Sequence, residues 1–529
     1  MWSTKNIENN LDSIQNKSEM EVMIRELKII SSNEKSQEIV TLIKKARKKC
    51  IEIDDKENQV ILYGLQIGQL YHFKKHLNLV SNLLKSMKEL SVEIDYTGGI
   101  AFSLMFEWLI EKMKGNKENY SNAIEKSIQT ITKEKINDEY IQTMCNYSYA
   151  VEIWLENHDV RSTNMLENCL DFFYRNKYYR NLTQTLAILS IIYSHTQKSN
   201  KGLRIIQDIL SNRNIFNDLP LDVKAITYYF SGLTHLLQAN LRLSESYFDE
   251  AYDIFKPIYK SSIYFSNFLT LHSYLATVKG LQGKTDQVYA LIKDAKTLLQ
   301  TDYMKTNLDQ ITRKQIVHTL NLVKFYNISR LGNYAPHEHQ ELIGKIIDNC
   351  KDLYSDFMTL SEFILSANLG SDKLQQLLEI DNFSINRVKY LIEFMFEKQK
   401  LDTEINREQK VSNCIVILEK REKTTKTTFM EDAYTDLLIA QQLFSLKRYA
   451  EITPLLKKYE NRLKQIEVLE MRIFMEAFIQ VGAYKNGEPL GPALQYMAIK
   501  KCRLYGFSRL ENKLLDYLQL QQQEITRTI

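Results

Sequence analysis

Small and large side chains alternate at fixed offsets between residues 228 and 257. The small side chains are Gly232, Ser244 and Ala251. The large side chains are Tyr228, His235 and Phe248. Two antiparallel helices approach closely only where small side chains face each other, and large side chains fill the space alongside. The pattern therefore predicts two helices that pack as a hairpin.

The same offsets recur along the first 300 residues. The first small position, or a residue that replaces it, is found at Gly68, Trp108, Ala150, Ser190, Gly232 and Ala276. Successive members of this series are 40 to 44 residues apart. Repetition at such a period is typical of stacked hairpins, because a single hairpin cannot bury its apolar face alone. The sequence therefore predicts a solenoid of helical hairpins.

The hairpin pattern resembles the tetratricopeptide repeat. Gly232 stands at the first small position of that repeat, and Phe248 stands at its large position. The period here is longer than the usual one of about 34 residues. It is similar to the extended repeats of the peptide-pheromone receptors of Gram-positive bacteria and of the sensor arm of maltose-type regulators. The resemblance covers roughly residues 57–300 and implies a right-handed superhelix.

Glycine and proline are scarce in this chain. It has 16 glycines and 6 prolines in 529 residues, and the first proline is Pro220. Average usage is about 7% glycine and about 5% proline, and sheets need turns that are rich in both. Together with the resemblance, this composition predicts an all-α protein, a right-handed α-solenoid of tetratricopeptide-like helix-turn-helix hairpins.

The regularity of the pattern divides the chain into four segments. We expect an N-terminal helical cap, a tetratricopeptide-like solenoid, a region of irregular helical repeats, and C-terminal helical hairpins with a cap. Their bounds are 1–55, 56–300, 301–425 and 426–529. The segment from Glu419 to Asp432 is charged, rich in threonine and without an apolar face, so it is the best candidate for an exposed joint.

Charge, cysteine usage and the N-terminus favour an intracellular protein. The net charge is +4, and neither this balance nor any face suggests binding to a phosphate backbone, so we do not expect a nucleic-acid partner. The six cysteines are widely separated, which indicates free thiols in a reducing compartment. The N-terminus has no apolar run typical of a signal peptide, and no apolar stretch is long enough to span a bilayer. We expect a soluble cytoplasmic protein with no membrane partner.

Sequence motifs for catalysis, cofactors or metals are missing. We find no phosphate-binding glycine loop, no HExxH motif, no nucleophile elbow and no EF-hand loop. His72 and His76 are four residues apart, and His337 and His339 lie in a predicted loop, but neither pair has a visible third ligand. We therefore predict no catalytic residue, no cofactor and no metal site.

The resemblance also implies a binding face. In tetratricopeptide repeats the first helix of each hairpin lines the concave surface. The matching residues here are Tyr147, Trp154, Gln184, Ser194, His195, Tyr229, Leu236, Thr270 and Ser273. Rings give contact area, and amide or hydroxyl groups can bond to a peptide backbone. Alternatively, side chains such as Trp154, Tyr229 and Leu236 pack against the neighbouring hairpin.

These observations favour a non-catalytic scaffold that binds a protein or a peptide in its concave groove, in a regulatory or sensory role. A homodimer is a second form of association to consider. One alternative is a DNA-binding transcriptional regulator, although residues 1–55 lack a compact three-helix signature. The other alternative is a peptide-gated accessory subunit of an enzyme, for which no matching motif is present.

Overall fold

Every segment of regular structure in the described part of the chain is a helix. The computed structural model describes residues 4–71, 76–114, 117–133, 136, 138–157, 161–195, 199–212, 216–217, 219–238, 240–262, 264–331, 336–399, 406–420, 429–460, 467–485 and 493–518. No strand occurs within these ranges. The prediction of an all-α fold is therefore confirmed.

The first fifteen helices span the N-terminal cap and the regular repeats. They are α1 Thr4–Leu11, α2 Lys17–Asn33, α3 Gln37–Glu52, α4 Lys56–Leu70, α5 Leu77–Glu93, α6 Thr97–Lys114, α7 Lys117–Lys133, α8 Glu139–Asn157, α9 Arg161–Arg175, α10 Tyr179–His195, α11 Ser199–Ser211, α12 Leu221–Leu237, α13 Leu241–Ile258, α14 Phe265–Leu281 and α15 Thr285–Gln300.

Twelve further helices follow in the described part, and their lengths are less regular. They are α16 Asp302–Asn307, α17 Gln310–Leu331, α18 Pro336–Cys350, α19 Phe357–Ser366, α20 Ser371–Leu378, α21 Phe383–Gln399, α22 Arg407–Glu419, α23 Phe429–Ser445, α24 Tyr449–Glu460, α25 Leu469–Lys485, α26 Ala493–Leu504 and α27 Ser508–Leu518.

The helices pack as successive hairpins that form two layers. Each of α6, α8, α10, α12 and α14 packs against the helix that follows it in the chain. The same five helices also contact one another in sequence, and α17, α19 and α21 continue this row. A layer of first helices covered by a layer of second helices is the architecture of an α-solenoid, as predicted.

The contacts around Gly232 confirm the alternation of small and large residues. A Cβ atom added to Gly232 would lie 2.4 Å from the ring of Phe248, so no larger side chain fits there. The Ser244 hydroxyl donates a hydrogen bond of 2.8 Å to the Gly232 carbonyl. In the preceding hairpin, a Cβ added to Gly202 would lie 2.6 Å from the carbonyl oxygen of Ser190. The small positions therefore mark the close approach of paired helices.

The C-terminal helices fold back onto the inner layer. Helix α27 packs against α17, and the guanidinium of Arg509 donates hydrogen bonds to the carbonyls of Ser329 and Ser366 at 3.1 and 3.0 Å. One apolar cluster runs from Ala225 to Leu515 and crosses two of the expected segment boundaries. The division into four segments stays a prediction.

Candidate ligand-binding cavities

The inner layer borders a large cavity, and the wall that the regular repeats contribute is apolar. This cavity, called here the larger cavity, has a volume of about 510 Å³. Helices α8, α10, α12 and α14 contribute aliphatic and aromatic side chains to its wall. Those from α8 to α12 include Val151, Trp154, Ile188, Ile191, Tyr229, Phe230, Leu233, Leu236 and Leu237. This wall can bury an apolar group of a ligand.

The opposite wall of the larger cavity is polar and charged. Arg387 on α21 forms an ion pair with Glu431 on α23, and both side chains are largely buried. Asp356 caps helix α19 by accepting a hydrogen bond of 3.0 Å from the Thr359 amide. Burial raises the pKa of Asp356 despite the hydrogen bonds from Thr359 and the nearby charge of Arg387. The wall thus holds two carboxylates beside one guanidinium.

The loop that carries Asp356 is fixed from three sides. The Gln315 side chain donates to the Tyr354 carbonyl at 2.7 Å and accepts from the Tyr354 amide at 2.9 Å. The Ser355 amide donates to the Ser384 hydroxyl at 2.9 Å, and the Ser355 hydroxyl bonds to His318 at 2.8 Å. The charged wall is therefore held in place before any ligand arrives.

A smaller cavity continues from the larger one. Its volume is about 350 Å³, and Met358 and Val468 line both cavities. Helices α17, α19, α21, α23, α25 and α27 contribute to its wall. An occupant that fills both cavities must therefore be elongated and must pass these two side chains.

The smaller cavity also contains buried carboxylates. Glu362 is 6% exposed and accepts hydrogen bonds from the hydroxyls of Ser329 and Ser366. Glu470 pairs with Arg330 at 3.3 Å, and the Arg330 guanidinium lies 4.5 Å from the ring centres of Tyr326 and Phe507. Lys398 and Asp516 are exposed at the rim. The buried charge that faces this cavity is consequently acidic.

A separate polar junction joins the N-terminal helices to the inner layer. The Arg180 guanidinium bonds to both carboxylate oxygens of Asp222 at 3.1 and 3.2 Å and to the Tyr264 hydroxyl at 3.2 Å. It also donates to the carbonyl of Asn33, at the end of α2. Gln184 donates to the Tyr264 hydroxyl at 2.6 Å. We call these residues the Arg180 junction.

The nine residues expected on the concave face fall into three groups. Trp154, Tyr229 and Leu236 line the larger cavity. Gln184 belongs to the Arg180 junction, and Thr270 bonds to the Tyr229 hydroxyl at 3.1 Å beside the cavity.

Of the remaining four residues, Tyr147, Ser194 and Ser273 do not line either cavity. Tyr147 packs edge-to-face on Phe173 with ring centres 5.5 Å apart. Ser194 and Ser273 are buried, and their hydroxyls donate to carbonyls of their own helices. The side chain of His195 lies outside the described residues. A binding role for all nine residues stays a prediction.

Sequence reasoning missed the charged wall because the repeat frame ends near residue 300. Arg387 lies on a helix whose pattern gave no register, and Glu431 lies on another helix, so only the superhelix brings them together. Glu362 did carry a signal. It is the one charged residue between Phe357 and Leu369, and a lone carboxylate in an apolar run indicates a buried charge.

The structure contradicts one prediction about the histidines. His337 and His339 lie in the first turn of α18 rather than in a loop, and the His339 ring stacks on Phe325 at 5.1 Å. The helix begins at Pro336, whose fixed φ suits a first turn. His72 lies outside the described residues. Among the described residues, no group of three or more histidine, cysteine or acidic side chains could hold a metal ion.

The six cysteines are free and buried, as expected. Burial raises the pKa of Cys414 to about 11 and of Cys50 to about 12. A thiol is a nucleophile only as its thiolate, so these side chains are unreactive near neutral pH. No helix in the described part of the chain has the length and apolar character needed to cross a bilayer.

Comparison with known proteins adds little beyond the fold. No family model matches the chain, and no curated protein matches it. The solved structure of a human IFIT1 dimer with m7Gppp-AAAA is similar over 96% of this chain and 99% of that chain, with 11% identity and a TM-score of 0.39. At this level the likeness says nothing about a ligand. The narrower resemblance to pheromone receptors and maltose-type regulators stays a prediction.

Proposed function

We propose that this protein is a non-catalytic scaffold that binds an extended peptide, or an extended segment of another protein, in the two inner cavities. The observation that carries this proposal is the pair of cavities that meet at Met358 and Val468. Their tandem arrangement suits an elongated occupant. A regulatory role in the cytoplasm is part of the same proposal.

The chemistry of the walls supports a peptide. The larger cavity offers apolar surface for side chains, and carboxamides lie in both cavities, Asn267 in the larger and Gln441 and Gln442 in the smaller. Carboxamides both donate and accept hydrogen bonds, so they suit a peptide backbone. A nucleic acid carries a negative phosphate at every step of its backbone. Buried carboxylates repel phosphates, so the walls favour a peptide over a nucleic acid.

The test is a selection from a library of random ten-residue peptides. The purified protein should enrich peptides whose binding is lost when Ile191, in the cavity wall, is replaced by tryptophan. The larger ring would occupy apolar space that a ligand needs. Leu243→Trp is the matched control, because Leu243 is 50% exposed and lines neither cavity. It should bind the enriched peptides normally.

Two results would contradict the proposal. One is the absence of any enriched peptide from a protein whose circular dichroism shows a folded helical chain. The other is equal binding by Ile191→Trp and wild type, which would place the peptide outside the larger cavity. Tyr147→Ala and Tyr229→Ala are less suitable variants, because Tyr147 packs on Phe173 and Tyr229 contacts Phe248 and Tyr274. Their loss of packing would obscure a loss of binding.

A further inference from the structure

Carboxylates outnumber cations on the walls of the two cavities. The carboxylates are Asp356, Glu362, Glu431, Glu470 and Asp516, and the cations are Arg387 and Lys398. Arg387 pairs with Glu431, and Arg330 behind the wall pairs with Glu470. Lys398 and Asp516 lie exposed at the rim. Two inner carboxylates are therefore left over, those of Asp356 and Glu362.

Asp356 and Glu362 have hydrogen-bond partners but form no ion pair of their own among the described residues. The Arg387 guanidinium lies near Asp356 but already pairs with Glu431. Asp356 bonds to Thr359, and Glu362 accepts from two serine hydroxyls. The Glu362 side chain is 6% exposed and faces the smaller cavity. A desolvated carboxylate that lacks a full countercharge is costly, and a cation from a ligand reduces that cost. Both carboxylates thus favour a ligand that brings positive charge.

The two carboxylates have a defined spacing. Asp356 precedes the first residue of α19, and Glu362 lies six positions further along. At 1.5 Å and about 100° per residue, they lie roughly 9 Å apart along the helix axis and about 120° apart around it. They therefore face different cavities, Asp356 the larger and Glu362 the smaller. One basic side chain of a peptide is needed in each cavity.

We infer that the cavities select a basic peptide, in which one lysine or arginine residue reaches Asp356 in the larger cavity and a second reaches Glu362 in the smaller cavity, while an apolar residue packs on the apolar wall. This inference rests on the proposed function, since it names the class of peptide that the same site takes. Acidic peptides and nucleic acids are excluded by the same carboxylates.

The peptide library gives the first test, and its two readouts separate this inference from the proposed function. Enrichment of any peptide supports the scaffold. Enrichment of peptides with at least two basic residues supports the charge selection. If the enriched peptides are neutral or acidic, the inference is wrong although the scaffold function stands. If nothing is enriched, both are wrong.

A second test changes only the peptide. An enriched basic peptide is compared with a copy in which both basic residues are norleucine, by fluorescence anisotropy at physiological salt. We expect the norleucine copy to bind at least tenfold more weakly. Equal affinity would overturn the inference without any change to the protein. Tighter binding of a decamer of oligoadenylate than of the basic peptide would also overturn it.

A third test changes the protein by near-isosteric substitutions. Asp356→Asn keeps a side chain that can cap α19, and Glu362→Gln keeps the length of the side chain. The double variant should lose at least tenfold in affinity for the basic peptide and should bind the norleucine copy as wild type does. Asp372→Asn, on the exposed surface of α20, is the control and should change neither affinity. Unchanged binding of the basic peptide by the double variant would contradict the inference.

Discussion

Two buried arginines show how the two halves of the solenoid differ. Arg180 in the regular half bonds to Asp222, Tyr264 and a main-chain carbonyl, and it is 3% exposed. Arg387 in the irregular half pairs with Glu431 but also lines the larger cavity. The first arginine joins helices together, whereas the second borders open space.

The pKa shifts of the two guanidinium groups follow from this difference. Burial lowers the pKa of both, and it is the largest influence in each case. Around Arg180, the charges and hydrogen bonds of Tyr264 and Asp222 outweigh burial and raise its pKa overall. Around Arg387, the pKa stays lowered although Tyr354 and Asp356 act against burial. The Arg180 junction thus compensates its charge better than the cavity wall does.

The largest effect is expected from replacing each arginine with methionine. Arg180→Met leaves the Asp222 carboxylate uncompensated in a packed junction, which should lower the free energy of unfolding by about 3–5 kcal/mol. Arg387→Met should lower it by about 1–3 kcal/mol, because water in the cavity can solvate Glu431. Urea unfolding followed by circular dichroism measures both values. Equal losses would show that the cavity wall is as dry as the junction.

Two glycines test the same contrast between packed and open space, with smaller expected changes in stability. A methyl group at Gly232 meets the ring of Phe248, so Gly232→Ala should destabilise the protein by about 1–3 kcal/mol. Gly344 on α18 has no atom near its added Cβ. Gly344→Ala should stabilise by up to about 1 kcal/mol through helix propensity. Thermal unfolding of both variants checks the pair, and a stabilised Gly232→Ala would show that the helix contact is looser than described.

The smallest effect concerns pH dependence near the Arg180 junction. The Lys35 ammonium donates to the carbonyls of Ser31 and Gly68, and burial lowers its pKa to about 7, with Arg180 adding to the shift. Above that pKa the unfolded chain binds more protons than the folded chain, so stability rises with pH until the ordinary lysine pKa is reached. This group loses its stabilising contribution as the pH falls toward 7.

Lys35→Met should therefore remove part of the rise in stability between about pH 7.5 and about pH 9. Because part of the side chain is exposed, we expect the variant and wild type to differ by about 1 kcal/mol across this range. Lys44→Met, on the exposed face of α3, controls for the loss of one charge. Parallel pH profiles for wild type and Lys35→Met would mean that Lys35 stays charged in the folded protein.

The candidate site was predictable only where it lies on regular repeats. The repeat frame predicted the inner helices, and its copies at Ala150 and Gly232 included Trp154, Tyr229 and Leu236, which line the larger cavity. It also named Tyr147, which packs against Phe173, because sequence offsets do not show which inner side chains the neighbouring hairpin covers. Beyond residue 300 the helices vary in length, so no offset could place Arg387 or Glu431.

The sequence by itself determined the hairpins and their repetition. The reason is local, since Gly232, Ser244 and Phe248 lie within 16 residues and their sizes alone decide where two helices can touch. Only the tertiary structure decided the contacts between distant turns. Asn33 meets Arg180 across 147 residues, and Arg387 meets Glu431 from another helix. These contacts depend on the small rotation between successive hairpins, which accumulates along the solenoid and which no local pattern encodes.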